Sequence, residues 1–295
     1  MSRKNSVTLT VVANMTSNYS EGLGNIASVQ KVYTKGRVHA MRSRESMKNA
    51  LMVSSGMYDD LQTKVDGATQ KMVDKDVNAA TCRALEGGYM STGKITYIRK
   101  SSFYMTDAIA CESFVNETRF HNNLYLATNY ANANNINLQE NAKATGLMPY
   151  QYEYDKSLKI YSITIDLDMI GKDENFEAQA STEEKIYRVN AILSAVENLS
   201  LTVKGNLDNA EPIFVVGGFS DRKTHYFENV VEVKGNKLLI SPDLKDRLSK
   251  GYNCGVLKSG IFSNENEIQN EMKASSIAKF FDNLRKEVTE YFANN

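Results

Sequence analysis

Two carboxylates, Asp166 and Asp168, lie two residues apart at the end of a segment that alternates apolar and polar residues. Residues at this spacing in a strand project from one face, so the pair could hold Mg²⁺ for phosphoryl or nucleotidyl transfer. A metal site would also need a third acid and a group that grips phosphate, and neither is evident. Solvent-facing polar positions are the favoured interpretation, and a metal-dependent nuclease or nucleotidyl enzyme on a palm-like sheet is the alternative.

A second possible chemistry is phosphate binding by cations around a predicted helix start. Ser43 is a favourable N-cap, and Glu45 places negative charge in the first turn. A helix N-terminus offers free N–H groups and the positive end of the helix dipole. Asn25 and nearby glycines would let the preceding loop approach a ligand backbone. The unit contains Lys31, Lys35, Arg37, Arg42, Ser43, Arg44 and Lys48. A solvated basic face is an equally good interpretation.

The histidines offer a third possibility, which is ring stacking rather than metal binding. His39, His121 and His225 lack the HxH or HxxxH spacing of zinc ligands. Two of them lie in polar segments with aromatic and cationic neighbours, 119–123 and 222–226. Residues there that could contact RNA are Arg119, His121, Arg222 and His225. Ordinary turns are somewhat favoured for each segment taken alone.

Other catalytic and cofactor motifs are lacking, so no cofactor is predicted. There is no Walker loop or GxGxxG, and the Gly217-Gly218-Phe219-Ser220-Asp221 segment is not G-x-S-x-G. The cysteines are Cys82, Cys111 and Cys254, an odd and widely spaced set that disfavours disulfides and zinc fingers. No apolar run approaches the roughly 18 residues that span a bilayer. With no signal-peptide pattern at the N-terminus, a cytoplasmic location without membrane contact is expected.

The charge of the chain is balanced in total but uneven along its length. Thirty-five Lys and Arg match 35 Asp and Glu, which argues against a protein that coats nucleic acid indiscriminately. The first 48 residues hold eight basic and two acidic side chains, whereas residues 111–200 hold seven basic and thirteen acidic. This layout permits a local anion site and head-to-tail contacts between copies.

Secondary-structure patterns predict an α+β fold. Strands are expected over 7–13, 159–168 and 212–216, and a hairpin around Gly235-Asn236. Helices are expected from Ser43 to before Gly56, from the capping box at Ser181 to about Leu199, and over 265–292. Residues 14–35 and 200–211 are interpreted as loops, the second with Lys204 and Asn206 at a turn. Residues 57–158 are interpreted as an insertion with small structural elements of its own. A ferredoxin-like or RRM-like sheet with helices on one face is the nearest common architecture.

Three blocks of the sequence resemble the DevR-type backbone subunit of type I-B CRISPR Cascade. They are residues 9–51, with Gly22-Leu23-Gly24-Asn25-Ile26 and Arg42-Ser43-Arg44-Glu45-Ser46-Met47-Lys48; residues 161–171; and residues 212–218. The resemblance implies an RRM-like palm (1–56 and 159–295) with a short thumb-like loop at about 200–211. It also implies an inserted finger or web region (57–158).

The same resemblance implies a function without catalysis. Copies would stack head to tail along the spacer of a CRISPR RNA and grip its sugar-phosphate backbone, while the guide pairs with a target DNA strand. Other Cascade subunits would be further partners. Matching family positions are Asn25, Lys31, Ser43, Arg44 and Lys48 near the first helix, and Lys204 and Asn206 in the thumb. A purely structural assembly protein that carries no nucleic acid remains a third possibility.

Overall fold

The fold combines a large antiparallel sheet with helices, in a computed structural model that describes residues 4–19 and 26–294. The strands are β1 (Ser6–Thr16), β2 (Ile26–Ala27), β3 (Lys31–Thr34), β4 (Arg37–Arg42), β5 (Thr63–Asp66), β6 (Ala68–Lys71), β7 (Tyr89–Ser91), β8 (Tyr97–Arg99), β9 (Phe103–Met105), β10 (Ala108–Ala110), β11 (Thr118–Asn122), β12 (Pro149–Glu153), β13 (Lys156–Asp166), β14 (Lys172–Asp173), β15 (Ala178–Gln179), β16 (Ser200–Val203), β17 (Asn206–Asn209), β18 (Pro212–Ser220), β19 (Val233–Lys234), β20 (Lys237–Leu238) and β21 (Asn253–Val256). The helices are α1 (Arg44–Ser54), α2 (Leu124–Ala133), α3 (Thr182–Glu197), α4 (Pro242–Leu248), α5 (Glu265–Met272) and α6 (Ile277–Ala293). This mixture confirms the predicted α+β class.

The main sheet is built on two long strands that pair along their whole length. β1 pairs antiparallel with β13 from Ser6↔Asp166 to Thr16↔Lys156. Within the described residues the strand order is β21-β18-β1-β13-β10-β4-β3, and β9 also pairs with β13. The alternation that predicted β1 and β13 is therefore confirmed. β1 extends beyond its predicted limits at both ends, whereas β13 begins three residues before and ends two residues before its predicted limits.

Both faces of the main sheet are covered by apolar cores. On one face Val7, Leu9 and Val11 pack with buried side chains of α1, α3 and α6. On the other face Val12 joins a second cluster with buried residues of α4 and α5. Hydroxyl side chains on the Val12 face of β1 and β13 bond to one another, as Thr10 does to Ser162 at 2.7 Å. The sheet thus forms a rigid support whose ends and margins carry the surface groups.

Capping residues begin two helices where they were predicted, but two helices replace the single helix predicted at the C-terminal end. Ser43 accepts a hydrogen bond from the N–H of Ser46, and Ser181 accepts one from the N–H of Glu184. The single helix expected over 265–292 is wrong, because Lys273 adopts a left-handed φ of 53° that ends α5. Ser276 then caps α6. A left-handed residue terminates a helix without interrupting its apolar stripe, so periodicity alone missed the break.

The region predicted as an insertion contains several small sheets and also reaches the main sheet. β5 pairs with β6, β7 pairs with β8, and β11-β12-β2 form a separate three-stranded sheet. β9 and β10, by contrast, pair with β13 in the main sheet. Residues around 103–110 therefore help to build the central sheet.

Two segments interpreted as loops contain strands. Residues 200–211 form a hairpin, β16–β17, whose tip residues Lys204 and Gly205 have φ of 50° and 76°. Residues 14–35 include the end of β1 and the strands β2 and β3. Around Gly235-Asn236, β19 and β20 form the predicted hairpin. Among residues 4–19 and 26–294, no helix combines the length and apolarity needed to cross a bilayer.

Candidate nucleic-acid interface

Several side chains of the predicted basic unit at the start of α1 are buried or hydrogen-bonded within the protein. Arg42 is only 7% exposed, and its Nη1 reaches the carbonyl oxygen of Thr16 at 3.5 Å. Burial lowers the pKa of Arg42, and the negative charge of Asp208 opposes that shift. Ser43 uses its hydroxyl as the N-cap, while its N–H donates to Asn18 Oδ1 at 2.8 Å. These two residues therefore position the helix start rather than present free donors at the surface.

Lys48 also points into the molecule. Its Nζ donates to the carbonyl oxygen of Gly87 at 2.7 Å and to Ser101 Oγ at 2.9 Å. Burial, followed by the positive charges of Lys71 and Arg99, lowers the pKa of Lys48 to about 8. Lys48, a member of the predicted basic unit, therefore does not lie beside Arg44 at the surface.

Arg44 and Lys31 are nearer the surface, and both are ion-paired. The side chain of Arg44 is 67% exposed, with its Nε 2.7 Å from Glu45 Oε1. Lys31 Nζ lies 2.5 Å from Glu153 Oε2. An exposed pair of this kind contributes little to stability, so Arg44 can exchange its partner for a phosphate at small cost. Asn25, the remaining predicted residue of this loop, lies outside the described residues.

An aromatic surface lies on the small sheet formed by β11 and β12. Their register places Arg119 opposite Tyr152 and His121 opposite Tyr150. Directly opposed residues of antiparallel strands project from the same face. We call this surface, together with the adjoining tyrosines, the aromatic face; its rings are Tyr19, His121, Tyr150, Tyr152 and Tyr154.

Three rings of the aromatic face are nearly parallel. The centroid of His121 lies 4.7 Å from that of Tyr152 and 5.5 Å from that of Tyr150. The planes of the three rings differ by only 17–21°. Tyr19 packs edge-on against Tyr152 at 5.9 Å. Parallel rings on a strand surface are the usual platform for stacking the bases of a single strand.

Two cations from distant parts of the chain lie over these rings. The guanidinium of Arg119 lies 3.5 Å from the centroid of the Tyr154 ring. Lys204 Nζ lies 4.8 Å from the ring of Tyr19 and 5.6 Å from that of Tyr152. The structure thus brings together three predicted residues, Arg119, His121 and Lys204, on one surface.

The β16–β17 hairpin that carries Lys204 is anchored at its base. Asp208, only 1% exposed, accepts hydrogen bonds from the N–H and the hydroxyl of Thr16 at 2.7 and 3.0 Å. Its second oxygen lies 2.6 Å from Lys156 Nζ. These bonds fix the hairpin to the end of β1. The tip, with exposed Asn206 beside Lys204, therefore projects beside the aromatic face.

Packing within the aromatic face changes the pKa of Tyr19. Burial raises its pKa to about 12, and the neighbouring Tyr152 and Tyr154 add to the rise. The positive charge of Arg119 acts in the opposite direction. Tyr19 therefore stays neutral at physiological pH. The charged groups at this surface include Arg119, Lys204 and the carboxylate of Glu117, whose Oε1 lies 3.9 Å from Arg119 Nε.

Arg222 and His225 belong to a different surface. His225 Nδ1 lies 2.9 Å from Thr164 Oγ1, and Thr8 Oγ1 donates to the carbonyl oxygen of Thr224 in the same segment. Thr8 is eight residues from Thr16 along β1, which corresponds to roughly 26 Å in an extended strand. Burial lowers the pKa of His225, with the charge of Glu228 opposing the shift. Arg222 and His225 are thus not gathered with the aromatic face.

Comparison with known proteins identifies the family. A family model described as "CRISPR-associated negative auto-regulator DevR/Csa2" matches residues 7–235. The chain belongs to the DevR/Csa2 family. No curated protein matches it. A solved chain described as "CRISPR RNA-guided surveillance complex, pre-nicking" is similar with a TM-score of 0.63 and 10% identity, over 96% of this chain and 100% of that one.

A second solved chain, described as "CRISPR RNA-guided surveillance complex", gives a TM-score of 0.57 and 13% identity. This alignment covers 96% of the present chain and 99% of the other. At such low identity the two likenesses show a shared fold, over the full length of both neighbours. The predicted DevR-type resemblance is thereby confirmed at the level of the family.

The carboxylate pair of this DevR/Csa2 family member is bridged by an ammonium group. Lys223 Nζ lies 2.8 Å from Asp166 Oδ1 and 3.2 Å from Asp168 Oδ2, and Asn5 Nδ2 donates to Asp168 at 2.5 Å. Burial alone would lower the pKa of Lys223, but hydrogen bonds to both carboxylates outweigh it and raise the pKa. Within the described parts of the chain, no three His, Cys, Asp or Glu residues form a group that could hold a metal ion. The position that the alternative interpretation gave to Mg²⁺ is thus filled by the protein's own lysine. The favoured interpretation of solvent-facing positions is wrong for Asp166, which is buried at 5% exposure.

Four tyrosines of the aromatic face were missed by the sequence interpretation. Tyr150, Tyr152 and Tyr154 alternate with polar residues, which is the period of a strand with one aromatic face. That signal was available within an otherwise irregular stretch. Tyr19 has no comparable local signal, because its place depends on the fold around the end of β1.

Proposed function

We propose that this chain is a CRISPR RNA-binding backbone subunit of a type I-B Cascade surveillance complex in the cytoplasm, without catalytic activity. Copies would assemble head to tail along the guide spacer and present it to a target DNA strand. The copies would also contact other Cascade subunits. In this proposal residues 1–56 and 159–295 form an RRM-like palm, residues 57–158 the finger or web region, and the β16–β17 hairpin the thumb.

The observation that carries the proposal is the convergence of Arg119, His121 and Lys204 on the aromatic face. Lys204 is more than 80 residues from Arg119 and His121 in the sequence. Together with the neighbouring tyrosines, these residues combine positive charge with aromatic rings. That combination suits single-stranded nucleic acid, whose phosphates need cations and whose unpaired bases need flat apolar surfaces. Family membership supports the choice of a CRISPR RNA as the bound strand.

The α1 start contributes to the proposed RNA path mainly through Arg44. Ser43 is linked to Asn18, one residue from Tyr19, so the helix start and the aromatic face lie at the same end of β1. Arg44 is exposed there, whereas Lys48 is directed at Gly87 and Ser101. Substituting Lys48 would thus disturb packing as well as charge, and it is unsuitable as a test of RNA binding.

The test removes two charges from the aromatic face and compares the salt dependence of RNA binding. In the full chain, Arg119→Ala with Lys204→Ala should weaken binding of single-stranded RNA. For single strands the slope of log K against log salt is about −0.7 per phosphate neutralised, so the slope should flatten by about 1.4. The matched control is Lys279→Ala with Lys286→Ala, which removes the same charge from the exposed side of α6.

Copurifying RNA gives a second readout of the proposed function. The unaltered chain, purified from cells that express a CRISPR RNA, should carry RNA of spacer-containing length and show a high 260/280 absorbance ratio. The paired Arg119 and Lys204 variant should lose that RNA while the α6 control keeps it. Equal RNA content and equal salt slopes in both variants would overturn the assignment of this surface. A wild-type chain free of nucleic acid would favour the structural-assembly alternative.

A further inference from the structure

A pair of stacked tyrosines lies at the N-terminal end of β1, away from the aromatic face. The ring centroids of Tyr226 and Tyr252 are 5.2 Å apart, and the ring planes differ by 28°. Two guanidiniums lie over the Tyr226 ring. The Cζ of Arg247 is 4.9 Å from the ring centroid, and the Cζ of Arg222 is 5.5 Å from it. We call these two arginine side chains the guanidinium pair.

Hydroxyl groups of the main sheet hold the backbone of this segment in place. The hydroxyl of Ser6 donates to the carbonyl oxygen of Arg222 at 2.8 Å, and the N–H of Arg222 donates to Ser220 Oγ at 3.0 Å. The N–H of Tyr226 donates to Thr8 Oγ1 at 3.3 Å. A cation on a fixed backbone and against a ring is already ordered, so binding an anion costs little further conformational entropy.

The guanidinium pair keeps hydrogen-bond donors for a further partner. Arg247 donates to the carbonyl oxygen of Tyr226, and in the described parts of the chain no carboxylate forms an ion pair with it. The side chain of Arg222 is 63% exposed, and its Nε lies 3.9 Å from Asp221 Oδ1, beyond hydrogen-bond distance. Each guanidinium has five N–H donors in a planar fork that fits a carboxylate or a phosphate. The pair therefore forms a candidate oxyanion site.

Two observations favour a protein carboxylate over a nucleic-acid strand as the bound group. The Tyr226 ring is already in contact with Tyr252 and with both guanidiniums, so it offers no open face to a nucleobase. Acidic groups also adjoin the site, namely Asp221 and the two carboxylates bridged by Lys223. Their negative charge repels a strand with a phosphate at every residue more strongly than it repels a few separate carboxylates.

We propose that the guanidinium pair binds carboxylate side chains in an acidic segment of a partner protein, a role beyond the RNA binding proposed above. Both guanidiniums lie within 5.5 Å of one ring centroid, so one short extended segment can reach both. Carboxylates on alternate residues of an extended segment project from the same side, about 7 Å apart. The partner segment is thus one in which glutamate or aspartate recurs at every second residue.

The test measures binding of an acidic peptide to the full chain by fluorescence anisotropy. The probe is a short fluorescein-labelled peptide that alternates glutamate with glycine, and the reference peptide has glutamine in place of every glutamate. The wild type should bind the glutamate peptide more tightly. Arg222→Ala with Arg247→Ala should weaken that binding at least about 10-fold, as expected for losing hydrogen bonds to a charged group. The α6 control, Lys279→Ala with Lys286→Ala, removes equal charge and should bind like the wild type.

Two further variants make the test specific to the guanidinium fork. Arg222→Lys with Arg247→Lys keeps both charges but loses the planar fork, so its affinity should fall between those of the wild type and the alanine pair. Arg222→Ala alone removes an exposed side chain and leaves the bond from Arg247 to Tyr226, so it tests the site even where the double variant unfolds. It should produce about half of the loss on a logarithmic scale.

Three results would overturn the inference. Equal binding of the glutamate and glutamine peptides by the wild type would exclude carboxylate recognition. Equal losses in the arginine pair and the α6 control would show a diffuse charge effect without a site. Loss of single-stranded RNA binding in the arginine pair, with peptide binding unchanged, would return Arg222 to the RNA-binding role expected from the sequence.

A separate variant distinguishes this inference from the proposed RNA-binding function. Arg119→Ala with Lys204→Ala, at the opposite end of β1, should bind the glutamate peptide like the wild type while it loses RNA. The arginine pair should show the reverse pattern. Failure of either surface therefore leaves the assignment of the other intact.

Discussion

Gly217 is expected to be the least replaceable position of the central sheet. It lies in β18 directly opposite Leu9 of β1. A Cβ added there would stand 1.9 Å from the carbonyl oxygen of Thr8 and 2.9 Å from the Cα of Leu9. Both are backbone atoms, so no side-chain rotation can relieve the overlap. Gly217→Ala must displace β1 by about 1 Å in the middle of its ladder.

The adjacent Gly218 provides a matched control. Its φ is 145° against 155° for Gly217, so alanine has a similar backbone cost at both positions. A Cβ on Gly218, however, meets only Tyr252 Cδ1 at 3.7 Å, an ordinary contact. The difference between the two variants thus isolates the steric overlap, which we expect to be about 3 kcal/mol, the upper end for overpacking.

Thermal unfolding followed by circular dichroism measures this difference. For chains of this general size 1 kcal/mol corresponds to about 2–4 °C, so Gly217→Ala should melt roughly 6–12 °C below Gly218→Ala at the same scan rate. Urea unfolding should give the same order. Melting temperatures within about 2 °C of each other would refute the close approach of β18 to β1.

Two further predictions concern buried charge. Glu86 is fully buried and accepts hydrogen bonds from Arg99 and Arg188 at 3.1 and 2.8 Å, so Glu86→Gln should lower the free energy of unfolding by about 3–5 kcal/mol in urea titrations. The exposed control Glu45→Gln should cost about 0–1 kcal/mol, and equal losses would contradict the burial argument. The pKa of Lys48 falls from 10.5 to about 8 on folding, so the unfolded chain binds more protons between these values. Stability should therefore rise from pH 8 to 10.5 in the wild type relative to Lys48→Met, and parallel pH curves would exclude the shift.

Local sequence signals predicted the elements that depend on nearby residues. The alternation in β1 and β13 is set by which side chains face the core, and Ser43 caps α1 through a bond only three residues away. Both depend on short-range geometry that a sequence displays directly. The break at Lys273 was missed because an apolar stripe can continue across a left-handed residue.

Whether a lysine or arginine side chain stays available at the surface could not be predicted in the same way. Lys48 finds its acceptors 39 and 53 residues away, and the acid that pairs with Lys31 is 122 residues away. A basic cluster in sequence therefore does not establish a basic surface, because distant carbonyls and carboxylates decide which charges remain available. The RNA-binding roles assigned to the twelve predicted residues stay predictions, including those of Arg222 and His225 at the other end of β1.

The partner of a cation determines whether it can still bind a phosphate. Lys31 and Arg44 are each neutralised by a carboxylate, which a phosphate must displace. In the described parts of the chain, the Lys204 ammonium lies over the rings of Tyr19 and Tyr152. A ring attracts the cation through its face without neutralising its charge, and the N–H groups directed away from the ring remain able to donate. An RNA strand would then find on the aromatic face a cation held in place yet still charged, which is why this surface, rather than the helix start, is the stronger candidate for the path of the strand.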